Sequence, residues 1–339
     1  MVKNVQQKEG KYKLYFMGIT IFSLGCLSTL VFSNVTNTNG KDLTDISTIR
    51  KISTSKFIAP LLLSSDSKVF YEDDHFSQTI SNYIKIKIKN GSATDISFYF
   101  KDLLTGRWTG VNENERYAPA SLMKVPILIA VLKQAESDTS LLHKKLYYSG
   151  EKDLNEEEYY KPQKSIVKGH SYTVEELLDY MITYSDNNAT VLLLGVTPQK
   201  NLSEIFTDLG LPSPEVITSG TVDYLSAKLY SRLFRVLYNS TYLQEEYSIQ
   251  ALKILNNIDF PNGIVSQMPK DIDVANKFGE RTVYNIDKTV NYRELHDCGI
   301  VYVPKHPYLI CIMTKGNDFK KLEAIIQDIS EMTYKNIKQ

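Results

Sequence analysis

Tyr117-Ala118-Pro119-Ala120-Ser121-Leu122-Met123-Lys124-Val125-Pro126, continued by Ile127-Leu128-Ile129-Ala130-Val131-Leu132, is the stretch on which the reading of this chain turns. The apolar run predicts a buried helix over 118–132, with Pro119 suited to its first turn and Pro126 expected to bend it. Lys124 follows Ser121 by three residues, so a helix puts both side chains on one face. A serine hydroxyl is a poor nucleophile until a base takes its proton. A lysine becomes such a base when burial lowers its pKa, and this helix offers Lys124 a dry wall. The unpaired backbone N–H groups of a first turn also suit an oxyanion. Spacing alone says little: Ser-x-x-Lys begins at Ser53, Ser65, Ser121, Ser149 and Ser165. Only the Ser121 pair opens an apolar helix, where a solvated lysine is hard to place.

Two further signals lie downstream. Ser185-Asp186-Asn187 occurs once, between two predicted helices, and by itself reads as a helix N-cap. Lys277-Phe278-Gly279 falls on a predicted strand and by itself means little, since Lys8 and Lys89 begin other Lys-x-Gly triplets. In this order, the three resemble the Ser-x-x-Lys, Ser-Asp-Asn and Lys-Thr-Gly set of class A β-lactamases and penicillin-binding serine hydrolases. The resemblance spans roughly residues 76–335. It implies the β-lactamase/transpeptidase-like fold: an α/β chain of the α+β type, with a five-stranded antiparallel sheet flanked by helices and an inserted all-helical domain.

The resemblance also implies roles. Ser121 would form the acyl-enzyme and Lys124 accept its proton. Ser185 would relay a proton to the leaving nitrogen, with Lys277 keeping the site electropositive. Asn187 would hold Lys124 and the substrate amide. Gly279 closes the third motif, and the backbone N–H groups of Ser121 and Glu280 would form the oxyanion hole. The implied ligand is a β-lactam or a peptidoglycan stem peptide, handled by a monomer without metal or organic cofactor. A DD-peptidase slow to release its acyl group is an alternative. A non-catalytic wall-binding module is another, which the joint presence of Ser121, Lys124, Ser185, Asn187 and Lys277 argues against.

The match fails in places. The glutamate that activates the deacylating water in class A enzymes has no clear counterpart. Among Glu204, Glu215, Glu245 and Glu246, only Glu215 lies on a plausible loop, which makes it the candidate base. Phe278 replaces the threonine that contacts a substrate carboxylate. His296-Asp297-Cys298-Gly299 offers no arginine, and Asp297 would repel a carboxylate; Arg281 or Arg293 would have to compensate. His296 and Asp297 read as a hydrogen-bonded structural pair.

Around these motifs, capping and periodicity predict helices at 76–89, 188–194, 225–238, 247–257 and from about Lys320. Another opens with the capping box of Thr173 and Glu176 and runs through Ile182. Strands are expected at 96–100, 107–111 and 274–278. A hairpin is expected at 298–313, with Val303 opposite Tyr308. That register makes Cys298 and Cys311 diagonal neighbours, which favours two buried thiols over a disulfide. Lys152 to Lys168, charged and broken by Pro162, reads as a surface loop. The sheet would come from 76–118 and 265–339, with the helical insert over about 119–260.

The N-terminus is compositionally distinct. Lys3, Lys8, Lys11 and Lys13 precede an uncharged run of 19 residues, Leu14 to Phe32. That is long enough to cross a bilayer, and its basic flank orients the rest of the chain outward. Residues 1–33 therefore read as a signal peptide or membrane anchor, 34–75 as a polar linker and 76–339 as the hydrolase domain. The expected location is extracytoplasmic, secreted or membrane-anchored. Cys26 follows Gly25, but the apolar run continues beyond it, which argues against lipidation. With 39 basic and 39 acidic side chains, no net field attracts nucleic acid.

Overall fold

The strands nearest the middle of the sheet are buried on both faces. In β1 (Asp95–Asp102), Ile96, Phe98 and Phe100 pack on one side while Ser97 and Tyr99 pack on the other. Such a strand needs a helical layer on each face. The computed structural model describes residues 55–58, 74–212 and 223–338, and within them both layers are present. β1 pairs with β2 (Trp108–Val111) and with β9 (Tyr308–Gly316); β8 (Val290–Val301) and β7 (Val274–Tyr284) complete the sheet in the order β2-β1-β9-β8-β7, while the short β3 (Arg116–Tyr117) and β6 (Leu225–Ser226) pair separately. Every pairing is antiparallel, as expected.

One face is covered by α1 (Asp74–Lys89) and α8 (Phe319–Lys338), with Phe76, Ile80, Phe98, Ile310, Leu322 and Ile326 in its core. The other face carries the helical insert: α2 (Lys124–Ala135), α3 (Val174–Thr183), α4 (Asn187–Leu194), α5 (Gln199–Asp208), α6 (Ala227–Tyr238) and α7 (Glu245–Leu255). α2 runs through the middle of this layer and is buried over Lys124–Leu132, so its apolar sequence has no solvent face. The capping box of Thr173 and Glu176 opens α3.

Several expectations need correction. The helix predicted from Ala118 begins as a 3-10 turn over Ala120–Met123, and α2 starts at Lys124. Pro126 is therefore its third residue, where the N–H has no intrahelical partner, and the expected bend is unnecessary. β7 and β8 extend far beyond the predicted segments, because their polar outer ends (Arg281, Thr282, Arg293) hide the strand pattern. Val301, not Val303, faces Tyr308, so Cys298 lies directly opposite Cys311 and the two form a disulfide. A two-residue register error separated them in the sequence reading.

Of the expected linker, residues 55–58 are described. Phe57 and Ile58 are buried, and the Phe57 carbonyl accepts a hydrogen bond from the Tyr302 hydroxyl. The segment Leu14 to Phe32 lies outside the described residues. Among those described, no helix is long and apolar enough to cross a membrane.

The disulfide closes a loop of sequence separation 13 within one hairpin. Replacing Cys298 and Cys311 together by alanine should lower stability by about 2–3 kcal/mol, read from denaturant midpoints.

Candidate active site

The site begins with a tight turn. Ala120 stands at a φ of +48°, a left-handed conformation that costs a non-glycine residue about 1–3 kcal/mol. It places Ser121 in the 3-10 turn, half-buried at the mouth of α2. The turn is pinned by Leu122 N–H donating to the Pro119 carbonyl (3.0 Å) and by the buried Tyr230 hydroxyl donating to the Leu122 carbonyl (2.8 Å). β7 passes hard against it. A Cβ on Gly279 would lie 2.9 Å from the Pro119 carbonyl oxygen and 3.0 Å from the Leu122 nitrogen. Only glycine lets the edge strand approach the nucleophile turn so closely.

Lys124 is fully buried, with its Nζ 2.6 Å from Ser121 Oγ, 3.2 Å from Ser185 Oγ and 2.6 Å from Asn187 Oδ1. Burial pushes its pKa down to about 8, partly opposed by the carboxylates of Glu158, Asp186 and Glu280. At pH 7 roughly one Lys124 in ten is then neutral, against about one in three thousand for a solvated lysine. Lys277 is also buried, and its Nζ donates to Ser185 Oγ (3.0 Å) and to the Phe278 carbonyl (2.8 Å). Burial first, then the charge of Lys124, holds its pKa well below the usual range. Ser185 thus lies between two lysine amines. It too sits in the left-handed region, at a φ of +59°.

Asp186 explains how this junction holds. Its carboxylate is fully buried and accepts four hydrogen bonds, from Asn188 N–H (2.9 Å), Ile166 N–H (2.8 Å), Asn155 Nδ2 (2.8 Å) and Ser165 Oγ (3.0 Å). The first caps α4; the others tie down the segment between β4 (Lys145–Tyr147) and β5 (Ser171–Thr173). The predicted surface loop Lys152 to Lys168 is therefore a wall of the site. Ser165, one of the chance Ser-x-x-Lys serines, is an Asp186 ligand.

Of the predicted site residues, Ser121, Lys124, Ser185, Asn187, Lys277, Gly279 and Glu280 come together. Glu215 lies outside the described residues. Sequence reasoning missed Glu158, whose Oε1 accepts from Asn187 Nδ2 at 2.7 Å. The Glu156-Glu157-Glu158 run reads as solvated. The signal against that reading is the adjacent Tyr159-Tyr160, an aromatic pair that a solvated loop does not need. Tyr160 packs edge-on against Phe260, Phe278 and Phe319, and its hydroxyl donates to Glu323 (2.7 Å).

The residues suspected of acting on a substrate carboxylate are engaged elsewhere. Adjacent on β8, His296 and Asp297 face opposite sides of the sheet and do not bond to each other. His296 Nε2 lies 3.1 Å from the Ala118 carbonyl oxygen; burial pushes its pKa down to about 4, leaving it a neutral donor to that carbonyl. Asp297 accepts from Asn276 Nδ2 and Ile264 N–H (both 2.8 Å) on the other face, where it is buried and its charge acts on Lys277. Arg281 pairs with Asp223 (3.7 Å) and Glu294 (3.8 Å), while Arg293 stacks over Phe319. Phe278 lies flat on Phe260 at 4.0 Å between ring centroids. No group of three or more histidine, cysteine or carboxylate side chains placed to hold a metal ion occurs among the described residues.

The chain is similar to known proteins in sequence and in fold. Residues 75–337 match the model of the family described as "Beta-lactamase enzyme family". The chain is 23% identical over 300 residues to beta-lactamase VEB-1 of Pseudomonas aeruginosa, covering 82% of this chain and 97% of that protein. Its fold is similar to that of PBP-A (TM-score 0.65, 21% identity, 79% of this chain and 98% of that one). It is also similar to a class A beta-lactamase from Bacteroides cellulosilyticus DSM 14838 (TM-score 0.64, 19% identity, 77% and 98%).

Because Asp186 satisfies two buried backbone N–H groups besides two side chains, Asp186→Ala should cost about 3 kcal/mol or more in equilibrium unfolding. The loss should be accompanied by faster proteolysis within 152–168, the segment it tethers.

Proposed function

Since the chain belongs to the beta-lactamase enzyme family, we propose that it is an extracytoplasmic serine hydrolase that cleaves the amide of a β-lactam or a related D-alanyl peptide through an acyl-enzyme on Ser121. The observation that carries this reading is the buried, partly neutral Lys124 amine 2.6 Å from Ser121 Oγ. In the first step, Ser121 Oγ bonds to the carbonyl carbon as its proton passes to Lys124 Nζ. The resulting oxyanion is received by the N–H groups of Ser121 and Glu280. Collapse breaks the C–N bond. The proton leaves Lys124 through Ser185 Oγ to the departing nitrogen, a path the 3.2 Å Lys124–Ser185 contact supports. Lys277 stabilises the Ser185 oxygen as it hands its proton on.

An extracytoplasmic location is supported by the Cys298–Cys311 disulfide, a bond that persists in oxidising compartments, and by the uncharged run Leu14 to Phe32 behind its lysines. Membrane attachment through that run and action as a monomer belong to the same proposal.

One observation favours slow release of the acyl group, as in a penicillin-binding DD-peptidase. Among the described residues, none of the hydrogen bonds of Ser121 or Lys124 goes to a carboxylate, the group that would activate a deacylating water. A variant of PBP-A, a protein similar in fold, is described as an acyl-enzyme complex with penicillin G. If deacylation is fast, Glu215 is the residue we propose as its base.

Intact-mass measurement after incubation with a fluorescent penicillin should show one added label on the wild type and none on Ser121→Ala. Equal masses for the two proteins would refute the nucleophile assignment. Label lasting for hours indicates the peptidase-like reaction, and label lost within seconds to minutes indicates β-lactam turnover.

A further inference from the structure

The nucleophile turn is short of backbone donors. A regular helix would bring the N–H of residue 126 to the Leu122 carbonyl, but that residue is Pro126 and has no N–H. The Leu122 N–H would reach the Ala118 carbonyl four residues back; it donates to the Pro119 carbonyl instead, at 3.0 Å. The carbonyls of Ala118 and Leu122 stand on either side of Ser121, and both residues are buried. A buried carbonyl without a donor is costly, so each needs a partner from outside the turn.

Both partners are fully buried side chains. The Tyr230 hydroxyl, on α6, donates to the Leu122 carbonyl at 2.8 Å. His296 Nε2, on β8, lies 3.1 Å from the Ala118 carbonyl oxygen. The tautomer of the ring is set from behind. Nδ1 accepts the Thr314 N–H of β9 at 3.3 Å, which puts the proton on Nε2 and aims it at Ala118. Tyr117 meets the ring edge-on, with centroids 5.3 Å apart, and its own hydroxyl is 3.0 Å from Ser97 Oγ. Burial holds the Tyr230 hydroxyl well above its usual pKa, so it keeps the proton it donates.

We propose that Tyr230 and His296 are positioning residues for the nucleophile, gripping the backbone on either side of Ser121, one from the helical layer and one from the sheet. This rests on acylation through Ser121. Between the two gripped carbonyls lies Ala120, in its left-handed conformation at a φ of +48°. A turn held at one end relaxes such an angle by swinging the other end; held at both, it keeps the angle. Ser121 Oγ is thereby fixed 2.6 Å from Lys124 Nζ before any substrate arrives.

Gly279 makes the sheet side of the grip possible. It lies opposite His296 in the register of β7 and β8, and its missing side chain lets the turn approach until the imidazole reaches Ala118. On the helical side, Tyr230 packs edge-on against Phe234, one turn further along α6, with centroids 5.9 Å apart. Both residues act through the main chain and not on the reacting atoms. Their loss is therefore felt in the rate of the covalent step and not in the affinity of a ligand for the site. A role in folding alone gives the opposite result: a less stable protein with an unchanged rate per folded molecule.

Three variants test this. Tyr230→Phe removes one oxygen, His296→Leu removes the ring donor, and His296→Gln offers an amide N–H in its place. At saturating penicillin, acylation per folded molecule, followed by rapid quench and intact mass, should slow about 10- to 100-fold in Tyr230→Phe and in His296→Leu. Penicillin affinity should stay within about twofold of wild type, and His296→Gln should recover most of the lost rate. A wild-type rate in Tyr230→Phe, or equal losses in His296→Leu and His296→Gln, would overturn the proposal. The same proteins are treated in parallel with a fluorophosphonate, which asks only for an activated serine: Oγ bonds to phosphorus, fluoride leaves and Lys124 takes the proton. A wild type that ignores penicillin but takes the phosphonate would refute the substrate reading alone, and the phosphonylation rates of the variants, judged by the same margins, then decide the positioning. A wild type inert to both reagents would overturn both. Should His296→Leu not fold, Tyr230→Phe decides by itself.

Discussion

The constraint on which this structure depends is the burial of Lys124. An ammonium group withdrawn from water loses several kcal/mol of hydration unless partners replace it. Here the partners are two hydroxyls and one amide oxygen, which satisfy the amine without holding it fully charged. Those partners come from the nucleophile turn and from the junction of α3 and α4, and β7 brings Lys277 to Ser185 beside them, so three parts of the fold must meet around one nitrogen. Each is pinned separately. Tyr230 secures the nucleophile turn, Asp186 secures the junction of α3 and α4, and the missing side chain of Gly279 lets β7 close in. The Cys298–Cys311 bond adds to this: Cys298 faces Lys277 across β7 and β8, so the covalent link lies beside the strand segment that carries the second amine.

The wrapped segment between β4 and β5 gives the site its particular character. It crosses the edge of β7 and fills the space beside Phe278 with Tyr160, Phe260 and Phe319. In the resemblance, this is where a threonine hydroxyl meets a substrate carboxylate. Aromatic carbon now occupies that ground, and the nearest acids bond to the loop and to Asn187. The helical half of the site keeps the acylating machinery, while the strand half is rebuilt.

Much of this was legible in the sequence because it rests on local pattern. Ser121 and Lys124 declared themselves through an apolar helix that could not be a surface, and the order of three short motifs supplied the rest of the acylating group. The antiparallel sheet followed from strands at both ends of the chain. What escaped was set by tertiary contacts. The register of β8 and β9 turned on which valine faces Tyr308, a choice between equivalent apolar residues. The roles of Asn155 and Ser165 depend on the Asp186 carboxylate, close in space but 31 and 21 residues away in sequence, and that of Glu158 on Asn187, 29 residues away. A run of charge resembles solvent exposure until something apolar beside it, here Tyr159-Tyr160, requires cover.

Ala120 and Ser185 share one feature that bears on how such a chain can change. Both hold a backbone conformation that their own Cβ atoms disfavour, and both flank the reacting groups. A glycine at either position would relax that tension and leave the unfolded chain freer, so the two effects oppose each other in the free energy of folding. Selection for robustness alone therefore has little purchase on these residues. Their identities answer instead to where the two hydroxyls at the centre of the site must point, which makes the turn before Ser121 a poor place to look for thermostabilising substitutions and a sensitive one for altering reactivity.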